Sequence, residues 1–530
     1  MKRNSDFENL WFRLRQLRWH LPAIVLGVTL LLTFHALVSS SSAQEEAAAP
    51  TRGGQGDRSA APQVDPLMPP ERELAMKIKA PFTFAGVGDI IDRHPIGQLA
   101  DPGFQGLVQH IRDADASLAD MEGTLIDFDN FPNPIGGGAP KAAIADIKGM
   151  GIKMMTTANN HTLDGGTPGL FETIKNLDEG GIVHAGTGRD LQDARAASYL
   201  STPKGTVGLV AIFSIDPSSG PGPALTSAAT YRNGNLGGAP GLNGLHVTPY
   251  FNVTSEQMDA LRKIRDSVYA RRGEVPDAVP PVAANENTDR LQLFGIWYKV
   301  SPKPGDVSYV MNPEDEREIL RSIRNGKENS DFMVVTIHCH QANYAFQQYT
   351  FDNDVPDFLV ELAHKAIDNG ADAFVGHGVH TIRGVEIYKG KPIFYGVSNF
   401  LYQLAQSAEA PNPGGDTTAS EANYRPGTEM NRVNQPDNLE NLLVTAHYEG
   451  GKLTEARLYP GDLGRDGTRP FSQLGIPVTP TPDVAKDILA KVQRLSKPFG
   501  TTISIENNVG VIHVTSAGAS HSEGEQGAGK

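Results

Sequence analysis

The sequence predicts an α/β sandwich, with mixed sheets covered by helices. Two observations predict it: strand-like and helical segments alternate in the first half, and strand hairpins dominate the second. A third bounds the answer. The 530 residues are 39% hydrophobic, enough for a sizeable core.

The elements follow in order. Phe82 to Asp89 reads as a short apolar strand running into a tight turn. Gly103–Arg112 reads as a helix, Ala116–Met121 as the next strand and Lys153–Thr157 as another. Thr167–Glu179 repeats apolar residues at Leu170, Ile174 and Leu177 and is stopped by Gly180-Gly181. Val207–Ser214 is a strand. The stretch 216–290 is rich in Pro, Gly and Asn and is read as an insertion with one helical piece, Ser255–Arg271. Glu314–Asn325 and Pro356–Asn369 are helical, and Phe332–Ile337 and Ala371–Val375 are buried strands. Thr381–Tyr388 and Pro392–Tyr395 form a hairpin across Lys389-Gly390. Leu442–Tyr448 and Lys452–Tyr459 form a second. Asp483–Ser496 is a helix and Thr501–Val514 a final strand pair.

The ends of the chain read differently. Lys2, Arg3, Arg13, Arg15 and Arg18 precede an apolar run from Leu21 to Val38, followed by Ser39 to Gln44. A basic segment, an apolar segment and small residues are the pattern of a signal peptide or an N-terminal membrane anchor over 1–43. The charge asymmetry puts the first residues in the cytoplasm and the bulk across the membrane. The expected location is the cell envelope, with residues 21–38 as anchor or the chain released. Residues 44–80 read as a disordered linker, 81–515 as the folded domain and 516–530 as a disordered tail.

Composition excludes some functions. Lys and Arg total 47 and Asp and Glu 61, a net charge of −14. An acidic body of this kind offers no basic face for nucleic acid. Cys339 is the only cysteine, so an intrachain disulfide and a thiolate-rich metal site are both excluded.

Five predicted strand ends carry residues able to bind metal. Gly88-Asp89 ends the first, where a capping role for Asp89 would also fit. Asp120-Met121-Glu122 ends the second, where a solvated turn would also fit. Asn159-Asn160-His161, with Asp164 beyond, follows the third. His338-Cys339-His340 ends the fourth, and His-x-His sends both rings to one side of an extended chain. Gly376-His377-Gly378-Val379-His380 ends the fifth, its glycines allowing close backbone approach. Oxygen and nitrogen donors without a usable thiol suit Mn, Fe, Zn or Ni better than Mg or Ca alone. Two ions about 3.5–4 Å apart would suit phosphoester hydrolysis.

The order of these motifs, with Tyr395-x-x-x-Asn399-Phe400, resembles the CapA family of capsule and poly-γ-glutamate biosynthesis proteins. The resemblance is carried by Thr157 to Gly188 and Gly370 to Gln403 and, more weakly, by Phe84 to Thr501. It implies a four-layer α/β/β/α sandwich of the calcineurin-like metallophosphoesterase type. It implies that Asp89, Glu122, Asn160, His338 and His380 bind divalent metal, with His340 and His377 as further candidates. His161, followed by Asp164, would be the catalytic histidine. Three positions depart from the family pattern: Asp120 stands where Asn is usual, His94 where Arg is usual with Arg93 one residue earlier, and Ser398 where Gly is frequent. The leading expectation is a metal-dependent hydrolase in extracellular polymer synthesis, acting on an anionic polymer or phosphoester beside a membrane polymer synthase. A general extracytoplasmic phosphoesterase and a non-catalytic export scaffold are the competing expectations.

Overall fold

The computed structural model describes residues 73–514, apart from 98, 128–129, 131–137, 216–227, 232–236, 273–286, 343–352, 404–438 and 466–468. The expected leader or anchor, the linker up to residue 72 and the tail lie outside the described residues.

Two mixed sheets lie face to face. The first runs in the order Ser504–Glu506, Val509–His513, Lys452–Asp462, Glu440–Glu449, Phe82–Ile91, Ala116–Met121, Met154–Thr156 and Val183–Ala185, with Asn399–Tyr402 also pairing with Phe82–Ile91. The second runs Arg290–Leu293, Ile296–Val300, Gly244–Val253, Gly205–Ile215, Phe332–His338, Ala373–His377, Lys391–Phe394 and Val385–Tyr388. Ser198–Thr202 and Val307–Met311 add to it.

Three apolar cores make four layers. Phe82, Phe84 and Leu118 of the first sheet meet Leu209, Phe332, Val334 and Val375 of the second between the sheets. On the far side of the first sheet, Phe104, Val108, Ile111, Ile147 and Leu177 come from helices. On the far side of the second, Ile319, Ile323, Phe358, Leu359 and Leu362 do the same. Each such fully buried side chain contributes roughly 1.5–3 kcal/mol. The α/β/β/α expectation therefore holds layer by layer.

The helices start where the sequence supplies caps. Asp101 accepts the Phe104 N–H at 2.8 Å ahead of helix Pro102–Arg112, whose buried Phe104, Leu107, Val108 and Ile111 fall on one face. Asn312 accepts the amides of Glu314 and Asp315 ahead of Pro313–Glu328. Both expected hairpins form. Lys389-Gly390 turns with φ of 49° and 74°, and Gly450-Gly451 with 58° and 80°.

Four expectations are corrected. The strand from Phe82 does not turn at Asp89; it continues to Ile91, with a register shift at Asp89. Packing begins before Pro81, because Met76 and Ile78 are buried between the sheets. The stretch read as an insertion contains a ten-residue strand, Gly244–Val253, parallel to Gly205–Ile215. Only Val385–Tyr388 of the predicted Thr381–Tyr388 strand is regular.

Candidate metal centre

The centre lies where the parallel strands of both sheets end at their carboxyl sides, where ligands of open α/β sheets collect. Phe82–Ile91 brings Asp89, Ala116–Met121 brings Asp120 and then Glu122, Phe332–His338 brings His338, and Ala373–His377 brings His377. The turn after Met154–Thr156 carries Asn159, Asn160 and His161.

Close backbone approach makes this convergence possible. A Cβ on Gly88 would lie 1.8 Å from the Ser398 carbonyl oxygen, which accepts the Asp89 N–H at 3.2 Å. A Cβ on Gly378, whose φ is +91°, would lie 2.7 Å from the His338 ring. His380 and Ser398 sit at φ 56° and 65° without being glycines. Such conformations cost roughly 1–3 kcal/mol each and gather at functional sites. Ser398 partly compensates through its Oγ, which donates to the His380 carbonyl at 3.0 Å.

Among the described residues two groups of donors emerge, Asp89–Asp120–His338 and Glu122–His340–His380, with the donor atoms of each group within 4.8 Å of one another. The groups adjoin. His338 Nε2 and His340 Nε2 are 2.9 Å apart. His380 places Nδ1 3.4 Å from Asp89 and Nε2 3.4 Å from Glu122. His377 Nδ1 is 3.3 Å from Asp89 Oδ1. Behind them, Asn399 Oδ1 accepts from His380 Nδ1 at 2.7 Å.

The electrostatics are those of acids and bases crowded away from water. Burial, then the charge of Asp89, pushes the Asp120 carboxyl well above the usual range. Burial raises Glu122 likewise, with His380 opposing. Against burial, the imidazoles of His377 and His380 hold Asp89 well below the usual range. Burial lowers His338 to about 3 despite Asp89. Burial opposes the charged form of His380, yet Glu122 and Asp89 raise it to about 9.

These residues fit a divalent metal. Both Glu122 oxygens, Asp89 Oδ1, Asn160 Oδ1 and both His377 ring nitrogens are buried without a hydrogen-bond partner. An unsatisfied buried polar group costs about 1–3 kcal/mol. Two imidazole nitrogens each about 2.0–2.1 Å from one ion would sit about 3 Å apart, close to the His338–His340 separation. Cys339 takes no part: its Sγ donates to Gln341 Oε1 at 3.2 Å and it packs with the outer core.

His161 is different. Its side chain is 35% exposed and its Nδ1 bonds Asp164 Oδ2 at 2.6 Å. Its Nε2 lies 4.0 Å from Glu122. Asp164 thus fixes the ring and leaves Nε2 toward the centre, the geometry of an oriented general acid or base.

The structure brings Asp89, Glu122, His338, His340, His377, His380 and His161 into one centre, with Asp164 behind His161 and Asn160 in the adjoining turn. The sequence offered Asp120 and Asn159 only as members of metal-capable strand ends, outside the final ligand set, and gave Asn399 and Gln403 no role of their own. Asn399 was visible in the Tyr-x-x-x-Asn-Phe motif. Gln403 was not: its Oε1 accepts the amides of both Arg93 and His94 at 2.7 Å. Arg93 stands beside buried Tyr402, which also feels Glu122 and Asp89, whereas the His94 side chain is exposed.

The fold and site define a four-layer α/β/β/α sandwich with a candidate metal centre of buried histidines and carboxylates at its strand ends. Residues 83–404 match the family described as bacterial capsule synthesis protein PGA_cap, and the chain belongs to that family. It is 35% identical to an uncharacterized protein of Sinorhizobium fredii, over 82% of this chain and 93% of that one. It is 28% identical to the capsule biosynthesis protein CapA of Bacillus anthracis, over 30% of this chain and 38% of that one. It is 34% identical to the PGA biosynthesis protein CapA of Bacillus subtilis, over 17% of this chain and 22% of that one.

Proposed function

We propose that the chain is an exported or membrane-anchored metal-dependent hydrolase that acts in the synthesis of an anionic capsule polymer such as poly-γ-glutamate. Family membership supports the capsule role. The single observation that carries the hydrolase reading is the convergence of buried carboxylates and imidazoles, with atoms of Asp89, Glu122 and His377 left without a hydrogen-bond partner, beside a partly exposed His161–Asp164 pair.

Together the two donor groups would hold two ions, of Mn, Fe or Zn. Such ions supply Lewis acidity, activate water at neutral pH and neutralise charge on a leaving oxygen. The chain's own residues do the rest. The two sheets hold the donors rigidly, so little reorganisation accompanies reaction. His161 Nε2 delivers or accepts a proton at the open side, and Asp164 keeps Nδ1 protonated. The N-terminal basic and apolar segments support placement at the membrane, and membership of a capsule synthesis family supports a polymer synthase as neighbour.

The test is metal analysis of the full-length protein together with turnover of a generic phosphodiester and of γ-glutamyl amides. His161→Ala should lower turnover about 10²–10⁴-fold with bound metal unchanged. Metal lost together with turnover would make His161 a ligand instead. Phosphodiester hydrolysis without action on γ-glutamyl bonds would favour a general phosphoesterase. Bound metal without any turnover would favour the export scaffold. Fractionation of cells tests the placement.

A further inference from the structure

Asp120 lies in one of the two donor groups, but its oxygens are already committed. Oδ2 is 2.6 Å from His338 Nδ1. Oδ1 accepts from Asn159 Nδ2 at 3.0 Å. Asn159 cannot turn its amide over, because Nδ2 also donates to the Met121 carbonyl at 2.6 Å and Oδ1 accepts the His161 N–H at 3.1 Å. Both Asp120 and His338 are fully buried, so no water competes for this pair. Asp89 and Glu122, by contrast, keep oxygens without a hydrogen-bond partner. On the other side of the ring, His338 Nε2 faces His340 Nε2 at 2.9 Å, where one of the two nitrogens must be bare.

We propose that Asp120 is a positioning residue and not a metal ligand: its carboxylate takes the Nδ1–H of His338, which fixes the ring and turns the bare Nε2 to the metal beside His340. The inference rests on metal binding at this centre, but not on what the centre hydrolyses. A carboxylate behind a metal-binding histidine fixes its tautomer and strengthens it as a donor. Asn159 extends the arrangement. It joins the Asp120–His338 pair to the backbone of His161, so one amide sets both the metal-facing ring and the turn bearing the catalytic candidate.

The arrangement makes asparagine a poor substitute at this position. In Asp120→Asn, an amide with its oxygen toward Asn159 would turn its NH₂ to His338 Nδ1. That imidazole would then have to carry its proton on Nε2, the metal-facing atom. With the amide oxygen toward His338 instead, the NH₂ would meet the NH₂ of Asn159. Neither choice satisfies every group, and the first blocks the metal-facing nitrogen.

The experiment uses full-length protein loaded with zinc. Zinc affinity is measured by competition with a chelator for the wild type, Asp120→Asn and Asp120→Glu. Proton NMR with ¹⁵N-histidine labelling follows the imidazole Nδ1–H in the zinc-loaded protein. The expected result is about a 10–100-fold loss of affinity for one ion in Asp120→Asn. A far-downfield Nδ1–H signal should be present in the wild type and lost in that variant. Asp120→Glu, which keeps an acceptor carboxylate, should recover part of both. The inference is overturned if Asp120→Asn leaves zinc affinity within twofold of the wild type. It is overturned equally if one ion is lost outright while the Nδ1–H signal persists, which would make Asp120 a ligand. A wild type that takes up no zinc overturns it together with the metal reading. A wild type that binds zinc but hydrolyses nothing overturns only the proposed hydrolase.

Discussion

The two ends of the strand Ala373–His377 treat buried polar groups in opposite ways. Just before its start, Asp372 is fully buried, yet its Oδ2 accepts from Lys327 Nζ at 2.6 Å and from the Met333 amide at 2.9 Å, and Lys391 reaches Oδ1. At its far end, His377 is as deeply buried, and neither ring nitrogen has a hydrogen-bond partner. Desolvation is unfavourable at both ends. At the first the chain compensates it with its own lysines. At the second only the Asp89 carboxylate comes near, 3.3 Å from Nδ1, and Glu122 and Asp89 also keep oxygens without a hydrogen-bond partner. A satisfied cluster holds the fold together; an unsatisfied one is where the fold leaves room for a partner.

The contrast can be broken by mutation at each end. Asp372→Asn should have the larger effect on stability, about 3–5 kcal/mol in urea unfolding, because it strands a buried lysine without its counter-charge. The same residue gives a pH signature. Burial opposes ionisation of Asp372, but Lys391 and Lys327 hold its carboxyl below 3.8. Its contribution is therefore fully present above that value and is lost as pH falls through the lower, folded value. The acid arm of the stability curve should flatten in Asp372→Asn. A variant as stable as the parent would remove the structural reading of this cluster.

Glu122→Gln should behave in the opposite way. Burial pushes its carboxyl up, so losing that charge should cost the metal-free protein less than losing the charge of Asp372. Metal retention should nonetheless fall sharply. A loss of metal-free stability as large as that of Asp372→Asn would erase the distinction between the two ends.

Much of this centre was legible in the sequence because its donors sit at strand ends marked by glycine. Gly376-His377-Gly378-Val379-His380 and His338-Cys339-His340 show both the apolar strand and the polar terminus. The alternation that buries Cys339 with the outer core also sends His338 and His340 inward together. The helices were legible from caps such as Asp101 and Asn312. What escaped depended on pairing between distant segments. The strand Gly244–Val253 lies in Pro- and Gly-rich surroundings and exists because Gly205–Ile215 and Val307–Met311 flank it. The register shift at Asp89 follows from the approach of Ser398, more than three hundred residues away. The role of Asp120 required both of its hydrogen-bond partners, Asn159 and His338, to be seen at once.

Metal is what completes the unpartnered donor atoms of Asp89, Glu122 and His377. The most direct measurement is elemental analysis of the full-length protein, purified without chelator and again after chelation and reloading. About two transition-metal ions per chain are expected, released by chelation and restored on reloading. A protein that retains no transition metal under either condition would contradict that.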